Sequence, residues 1–171
     1  FVRLTGRPLR CKYCDTAYAF TGGKRMALSE VLGEIERFGV ARVTVTGGEP
    51  LAQTDVHALL TALCDRNFAV SIETSGALTI AEVDQRVVSV VDFKTPGSGE
   101  VHRNCWANVA HLRSHDQVKF VLCSRSDYEW AKMQVDRYGL QDRVADVLFS
   151  PSHAELPPAD LADWIVQDRL D

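Results

Sequence analysis

Short β-branched segments alternate with helical patterns along the whole chain, and this alternation limits the possible folds more than any other feature of the sequence. Segments that alternate in this way form βα units with right-handed crossovers around a parallel sheet. The sequence therefore predicts an α/β fold, an open or partial parallel barrel of the (βα)6 type. The strands are expected at residues 1–5, 41–46, 69–73, 87–93, 117–122 and 144–149.

Apolar residues at helical spacing predict the helices that cover this sheet. A third helix begins after a cap at Ser124 or Ser126 and stops at Gly139, since serine caps helix starts and glycine ends helices. The last helix spans about 158–167. The apolar faces of the first two helices are formed by Val31, Leu32, Ile35 and Phe38, and by Val56, Leu59, Leu60 and Leu63.

Composition restricts the class of protein. With 171 residues, of which 46% are hydrophobic, the chain suits one domain over 1–171. Its start at Phe1, inside a predicted strand, suggests a fragment, and we expect truncation at both ends. A net charge of -4 gives no basic surface for nucleic acid, so a small-molecule partner is expected. No apolar run approaches the roughly 20 residues that cross a bilayer. The five cysteines at irregular spacings favour reduced thiols, so we expect a soluble cytoplasmic protein.

Cys11 and Cys14 lie in a segment, 6–23, that has no clear helical or strand period. Loops of this length are usually functional, and thiolates bind soft centres such as an iron–sulfur cluster or zinc. An incidental pair or a redox pair is the alternative, although no thioredoxin-like helix follows Cys14. Structural zinc would need a second pair of ligands, for which His102 and Cys105 are the nearest substitute.

Polar residues follow the predicted strands at the ends where ligands collect in parallel α/β folds. Gly47 and Gly48 allow backbone to approach a ligand closely. Glu73 ends an apolar strand and needs a partner, and Lys94 could pair with Asp92 or hold a ligand carboxylate. An active-site mouth is therefore expected where these loops meet, at residues 6–23, 46–50, 73–76, 94–99 and 150–153.

In order and spacing, these segments resemble the 7-carboxy-7-deazaguanine synthase family of radical S-adenosylmethionine enzymes. The matching segments are 1–6, 11–16, 46–50, 73–76 and 94–99. The resemblance implies a small modified barrel, a homodimer, a [4Fe–4S] cluster, S-adenosylmethionine and Mg²⁺. It also implies a pterin substrate and a reductant such as flavodoxin. The implied lyase reaction, in queuosine precursor biosynthesis, is the radical ring contraction of 6-carboxy-5,6,7,8-tetrahydropterin to 7-carboxy-7-deazaguanine with loss of ammonia.

The resemblance also assigns roles to individual residues. Cys11 and Cys14 match two of the three cluster ligands, and Thr16 matches a magnesium ligand. Arg3 and Thr46 match substrate contacts. Among the cofactor contacts, Glu49 would receive the methionine amino group, Glu73 and Ser75 the ribose, and Lys94 the carboxylate end. The full set of implied contacts to S-adenosylmethionine is Tyr13, Cys14, Asp15, Gly48, Glu49, Glu73, Ser75 and Lys94.

Position 7 departs from the family pattern. The family has its first cluster cysteine there, whereas this chain has Arg7, and a guanidinium cannot act as a thiolate ligand. A different class of function is therefore also open, namely a catalytically silent scaffold that binds S-adenosylmethionine or a pterin without radical chemistry. A small thiol or zinc protein on an α/β fold is the third possibility.

Overall fold

The computed structural model describes residues 1–6 and 8–170, and in this part of the chain one sheet of six parallel strands has the order β1-β2-β3-β4-β5-β6. Because β1 and β6 are the two edges, the sheet is an open partial barrel, and the predicted α/β fold is confirmed. The strands are β1 (Val2–Leu4), β2 (Arg42–Gly47), β3 (Ala69–Thr74), β4 (Val88–Asp92), β5 (Gln117–Leu122) and β6 (Asp146–Pro151). The α-helices are α1 (Leu28–Arg37), α2 (Val56–Asp65), α3 (Arg125–Tyr138) and α4 (Pro158–Asp168).

The predicted ends of α3 are confirmed. Ser124 accepts a hydrogen bond from the Asp127 N–H, and Gly139 takes the left-handed conformation just after the last turn. Two other predictions were wrong in detail. Phe38 is 77% exposed, because α1 ends at Arg37 and the chain turns away there. The last strand begins at Asp146 rather than at 144. In the described ranges, no helix combines the length and apolarity that crossing a bilayer requires.

The two faces of the sheet differ in polarity, since side chains alternate along each strand. In β5, Val118, Phe120 and Leu122 are completely buried under the helices, whereas Lys119 and Val121 are half-buried on the concave face. The same alternation runs through the other inner strands, where polar groups bond across the concave face. The helices therefore cover the outer face and leave the concave face for a polar cleft.

Aromatic packing fixes the carboxyl end of β4. Phe93 is completely buried and stacks on Trp106 with 4.5 Å between ring centroids, and Trp106 stacks on Tyr138 at 4.5 Å. Stacked rings with these separations add to the stability that burial gives. Since neighbouring residues of an extended segment point to opposite sides, this anchor turns Asp92 and Lys94 toward the concave face.

Candidate active site

A cleft of about 330 Å³ opens at the carboxyl ends of the strands. Ligand sites typically have volumes from this size upward and collect at this end of parallel sheets. Of the residues predicted from the sequence, Glu49 lies outside the lining. The others line the cleft together: Arg3, Cys11, Tyr13, Cys14, Asp15, Thr16, Thr46, Gly48, Glu73, Ser75 and Lys94.

The two cysteines share one tight turn at the edge of the cleft. The Cys14 N–H donates to the Cys11 carbonyl at 3.2 Å, and the Lys12 N–H ties the turn to the Ser98 carbonyl at 3.1 Å. Cys11 is buried and Cys14 is half-buried. The Thr16 hydroxyl lies 3.8 Å from the Cys14 sulfur, so the predicted thiolate ligands and the predicted magnesium ligand lie side by side.

Tyr13, between the cysteines in the sequence, is half-buried and lines the cleft. Its hydroxyl oxygen is buried and has no hydrogen-bond partner among the described residues, and the same holds for Oδ1 of Asp92. Burial, and after it the negative charge of Asp92, raises the pKa of the Tyr13 hydroxyl, which therefore stays protonated. Tyr13 thus contributes a neutral aromatic wall to the cleft.

The glycine pair lies at the end of β2, against the segment that follows β1. The Gly48 N–H donates to the Leu4 carbonyl at 2.9 Å, and the Glu49 N–H donates to the Gly6 carbonyl at 2.8 Å. A Cβ at Gly48 would lie 2.0 Å from the Gly6 carbonyl oxygen, and Gly47 has φ +134°. The sequence interpretation was that these glycines let backbone approach a ligand. The structure gives a further reason, which is the close passage of the segment that leads into the cysteine loop.

Glu49 is completely buried, and its carboxylate accepts hydrogen bonds on both oxygens. Oε1 accepts from the Leu51 N–H at 3.1 Å and from the Thr74 hydroxyl at 2.9 Å. Oε2 accepts from the Ser75 N–H at 2.8 Å and from the Ser75 hydroxyl. The carboxylate therefore clamps the end of β3 and holds Ser75 against the cleft. Its contact with a methionine amino group stays a prediction.

The β1–β3 wall of the cleft carries the groups expected to meet substrate and ribose. Arg3 is the register partner of Thr46, whose hydroxyl donates to Oε2 of Glu73 at 2.8 Å. The Arg3 guanidinium lies over the Tyr18 ring, 5.7 Å from the centroid, an arrangement that favours a cation on an aromatic face. This wall therefore combines a cation, a hydroxyl and a carboxylate at one height of the sheet.

The β4–β5 wall carries two lysines, Lys94 and Lys119, and of these only Lys94 is in an ion pair with a described residue. Lys94 has 1% side-chain exposure, and its Nζ lies 2.6 Å from Oδ2 of Asp92, which is the pairing that the sequence offered as one alternative. Lys119 lines the same wall, and sequence reasoning missed it. Its position as the one charged residue of β5, between Val118 and Phe120, was the signal that could have found it.

Similarity to known proteins agrees with this geometry. Residues 5–90 match the model of the radical SAM superfamily. The 7-carboxy-7-deazaguanine synthase of Koribacter versatilis is 40% identical over 185 residues, which cover 100% of this chain and 82% of the relative. The synthase of Chlorobaculum tepidum is also 40% identical, over 99% of this chain and 78% of the relative. This chain belongs to the 7-carboxy-7-deazaguanine synthase family.

Solved structures share the fold of this family member. The crystal structure of QueE from Escherichia coli aligns with a TM-score of 0.76 and 18% identity, over 98% of this chain and 80% of that chain. Streptococcus suis SuiB bound to S-adenosylmethionine aligns with a TM-score of 0.67 and 14% identity, over 98% of this chain and 47% of that chain. At these identities the likeness concerns the fold alone.

Radical SAM membership implies S-adenosylmethionine and a [4Fe–4S] cluster as cofactors. The cleft fits the former, because it combines an aromatic wall, a carboxylate and hydroxyls with a backbone stretch at Gly48 that has no Cβ. For the cluster, the described residues supply two thiols on one turn, and the third motif position is Arg7, which lies outside them. Within the described ranges, no three His, Cys, Asp or Glu side chains are grouped to hold a metal ion.

Proposed function

We propose that this chain is a 7-carboxy-7-deazaguanine synthase of queuosine precursor biosynthesis. The reaction is the radical ring contraction of 6-carboxy-5,6,7,8-tetrahydropterin to 7-carboxy-7-deazaguanine with loss of ammonia. The observation that carries the proposal is the convergence of the family's motif residues on one cleft, from the cysteine turn at one edge to Lys94 on the β4 wall. The family resemblance extends over the whole of the chain.

In this proposal the residues at the cysteine edge of the cleft bind the cofactor. Cys11 and Cys14 hold irons of the cluster, and Tyr13 and Asp15 lie against S-adenosylmethionine. Gly48 and Glu49 would lie at its methionine end, Glu73 and Ser75 at its ribose, and Lys94, held in its pair with Asp92, beside its carboxylate end. When bound, this cofactor would supply the radical chemistry, which is hydrogen abstraction from the substrate by a 5′-deoxyadenosyl radical. The low exposure of Lys94 and the clamp on Ser75 support these roles, since both groups are held in place before a ligand arrives.

The opposite part of the cleft binds the pterin. Arg3 contacts its carboxylate or ring edge, a task that suits the planar guanidinium, and Thr46 donates or accepts a hydrogen bond. Thr16 would supply a hard oxygen ligand to Mg²⁺, and the ion would supply positive charge for the oxygens of the substrate. The proposal includes a homodimer, a reductant such as flavodoxin and a cytoplasmic location.

A second function is favoured by one specific observation, the arginine at position 7. A guanidinium cannot act as a thiolate ligand to iron, and Arg7 is a positive residue four positions before Cys11 in the sequence. On this second proposal the chain is a silent scaffold that binds S-adenosylmethionine and the pterin and forms neither cluster nor radical.

Anaerobic reconstitution separates the two proposals. The unaltered chain and Arg7→Cys are reconstituted with iron and sulfide, and both elements are counted per chain. Formation of 5′-deoxyadenosine and of 7-carboxy-7-deazaguanine is then followed after S-adenosylmethionine, the tetrahydropterin and a reductant are added. If the chain is a synthase as it stands, it binds close to four irons and releases both compounds. A silent scaffold does so only after Arg7→Cys.

A matched variant controls for the added thiol. Arg25→Cys places a cysteine in an exposed loop outside the cleft lining and should leave iron content unchanged. If neither the unaltered chain nor Arg7→Cys yields the deazaguanine product although both bind four irons, the synthase proposal is wrong. Binding of S-adenosylmethionine by the unaltered chain, measured by equilibrium dialysis, is the positive result expected of the scaffold.

A further inference from the structure

Lys119 is a cation on the cleft wall that the protein itself does not neutralise. It lies near the middle of β5, is half-buried and lines the cleft. Its side-chain ammonium makes no hydrogen bond or ion pair with any of the described residues. A partly buried ammonium loses hydration, and an anion normally compensates that loss.

The neighbouring carboxylate is already engaged. Asp92 is the register partner of Lys119 on β4, but its Oδ2 pairs with Lys94 at 2.6 Å. Its Oδ1 is buried and is therefore not exposed to the cleft. Lys94 and Asp92 thus neutralise each other, and the charge of Lys119 is left for a group that enters the cleft.

The register also gives the height of Lys119 in the barrel. Glu73 pairs with Val90, and Val90 pairs with Gln117. Lys119 is two residues beyond Gln117, so its side chain lies on the same face, one layer nearer to the carboxyl ends where ligands bind. Its position is therefore above the layer of Glu73, beside the Asp92–Lys94 pair.

We propose that Lys119 binds a carboxylate of the small molecule held in the cleft. This inference rests on the proposed function, in which two ligands carry such a group: the methionine carboxylate of S-adenosylmethionine and the carboxylate of the pterin. Lys119 contributes a charge-assisted hydrogen bond, whereas Lys94, with its charge already paired to Asp92, contributes mainly shape and position. Lys119 is in this sense a residue that selects carboxylated ligands.

Ligand truncation tests the proposal and identifies the source of the carboxylate. Dissociation constants are measured by calorimetry for S-adenosylmethionine and its decarboxylated analogue, and for 6-carboxypterin and pterin. The proteins are the unaltered chain, Lys119→Met, Lys119→Arg and, as matched control, Lys24→Met, whose side chain is exposed outside the cleft lining. Lys119→Met should weaken one carboxylated ligand about 10- to 100-fold and its carboxylate-free analogue less than about 2-fold.

Each outcome supports or refutes the assignment of Lys119, the proposed function, or both. The ligand pair that shows the selective loss is the source of the carboxylate, and Lys119→Arg should restore most of the affinity. If Lys119→Met affects ligand and analogue equally, or affects neither, the assignment of Lys119 is wrong while the proposed function stands. If the unaltered chain binds none of the four ligands, both are wrong. If selective binding is found without product formation, the proposed function alone is wrong.

Discussion

The buried carboxylate of Glu49 gives the sharpest test of how the cleft is built. Each of its oxygens accepts from one backbone N–H, at Leu51 for Oε1 and at Ser75 for Oε2. In Glu49→Gln, one oxygen becomes an NH₂ group, which cannot accept a hydrogen bond. Whichever way the amide turns, one buried backbone N–H loses its acceptor and faces another donor.

The cost follows from the groups left unpaired. A buried donor without a partner costs about 1–3 kcal/mol, and the other hydrogen bonds lose their charge assistance, at roughly 1 kcal/mol each. Removal of a buried charge offsets part of this cost. We expect the free energy of unfolding to fall by about 2–4 kcal/mol, which for a domain of this size lowers Tm by about 4–16 °C.

The assay is urea unfolding of the ligand-free protein, followed by circular dichroism. The matched control is Glu73→Gln, because Glu73 is exposed and accepts from the Thr46 hydroxyl, which can rotate to become an acceptor. This control should change the free energy of unfolding by less than about 1 kcal/mol. If Glu49→Gln is as stable as the control, the clamp on Ser75 does not operate as described.

Two further predictions concern the stability of the ligand-free protein. Arg86, through its guanidinium and its backbone N–H, holds the pKa of Asp84 well below its usual range. An Asp whose pKa is lower in the folded than in the unfolded state stabilises the fold while it is ionised. This contribution is fully present at pH values above the unfolded pKa of about 3.9 and declines as the pH falls below it. The destabilisation by Asp84→Asn in urea unfolding should therefore shrink between pH 6 and pH 3. Gly48→Ala places a Cβ 2.0 Å from the Gly6 carbonyl oxygen and should cost about 2–4 kcal/mol in the same assay.

Each of these predictions has a matched control. Asp65→Asn removes an exposed partner of Arg86 at 2.9 Å and should change stability little at any pH. Gly33→Ala lies in α1, where a Cβ would meet nothing within 4 Å, and should be neutral or stabilising. A pH-independent effect of Asp84→Asn would contradict the first prediction. Equal stability of Gly48→Ala and Gly33→Ala would contradict the second.

Residues close together in the sequence were sufficient to predict the secondary-structure elements and the location of the site. β-branched runs, helical periodicity, and the caps at Ser124 and Gly139 depend on residues close in the chain, and so they predicted the strands and most helix ends. Parallel order then places the loops after the strands at one end of the sheet. For this reason the residues expected in the cleft, with the exception of Glu49, line it.

Contacts between residues far apart in the chain could be determined only from the tertiary structure. Strand register sets which side chains face each other, and the closeness of β1 to the Gly47–Gly48 turn sets how the cysteine loop enters the site. Because of that geometry, Glu49 turns into the protein and clamps Ser75, and Asp92 neutralises Lys94. Lys119 is left to face the cleft. The sequence by itself determined that a cleft with these motifs exists, while the packing of distant residues determined which of its charges are free to meet a ligand.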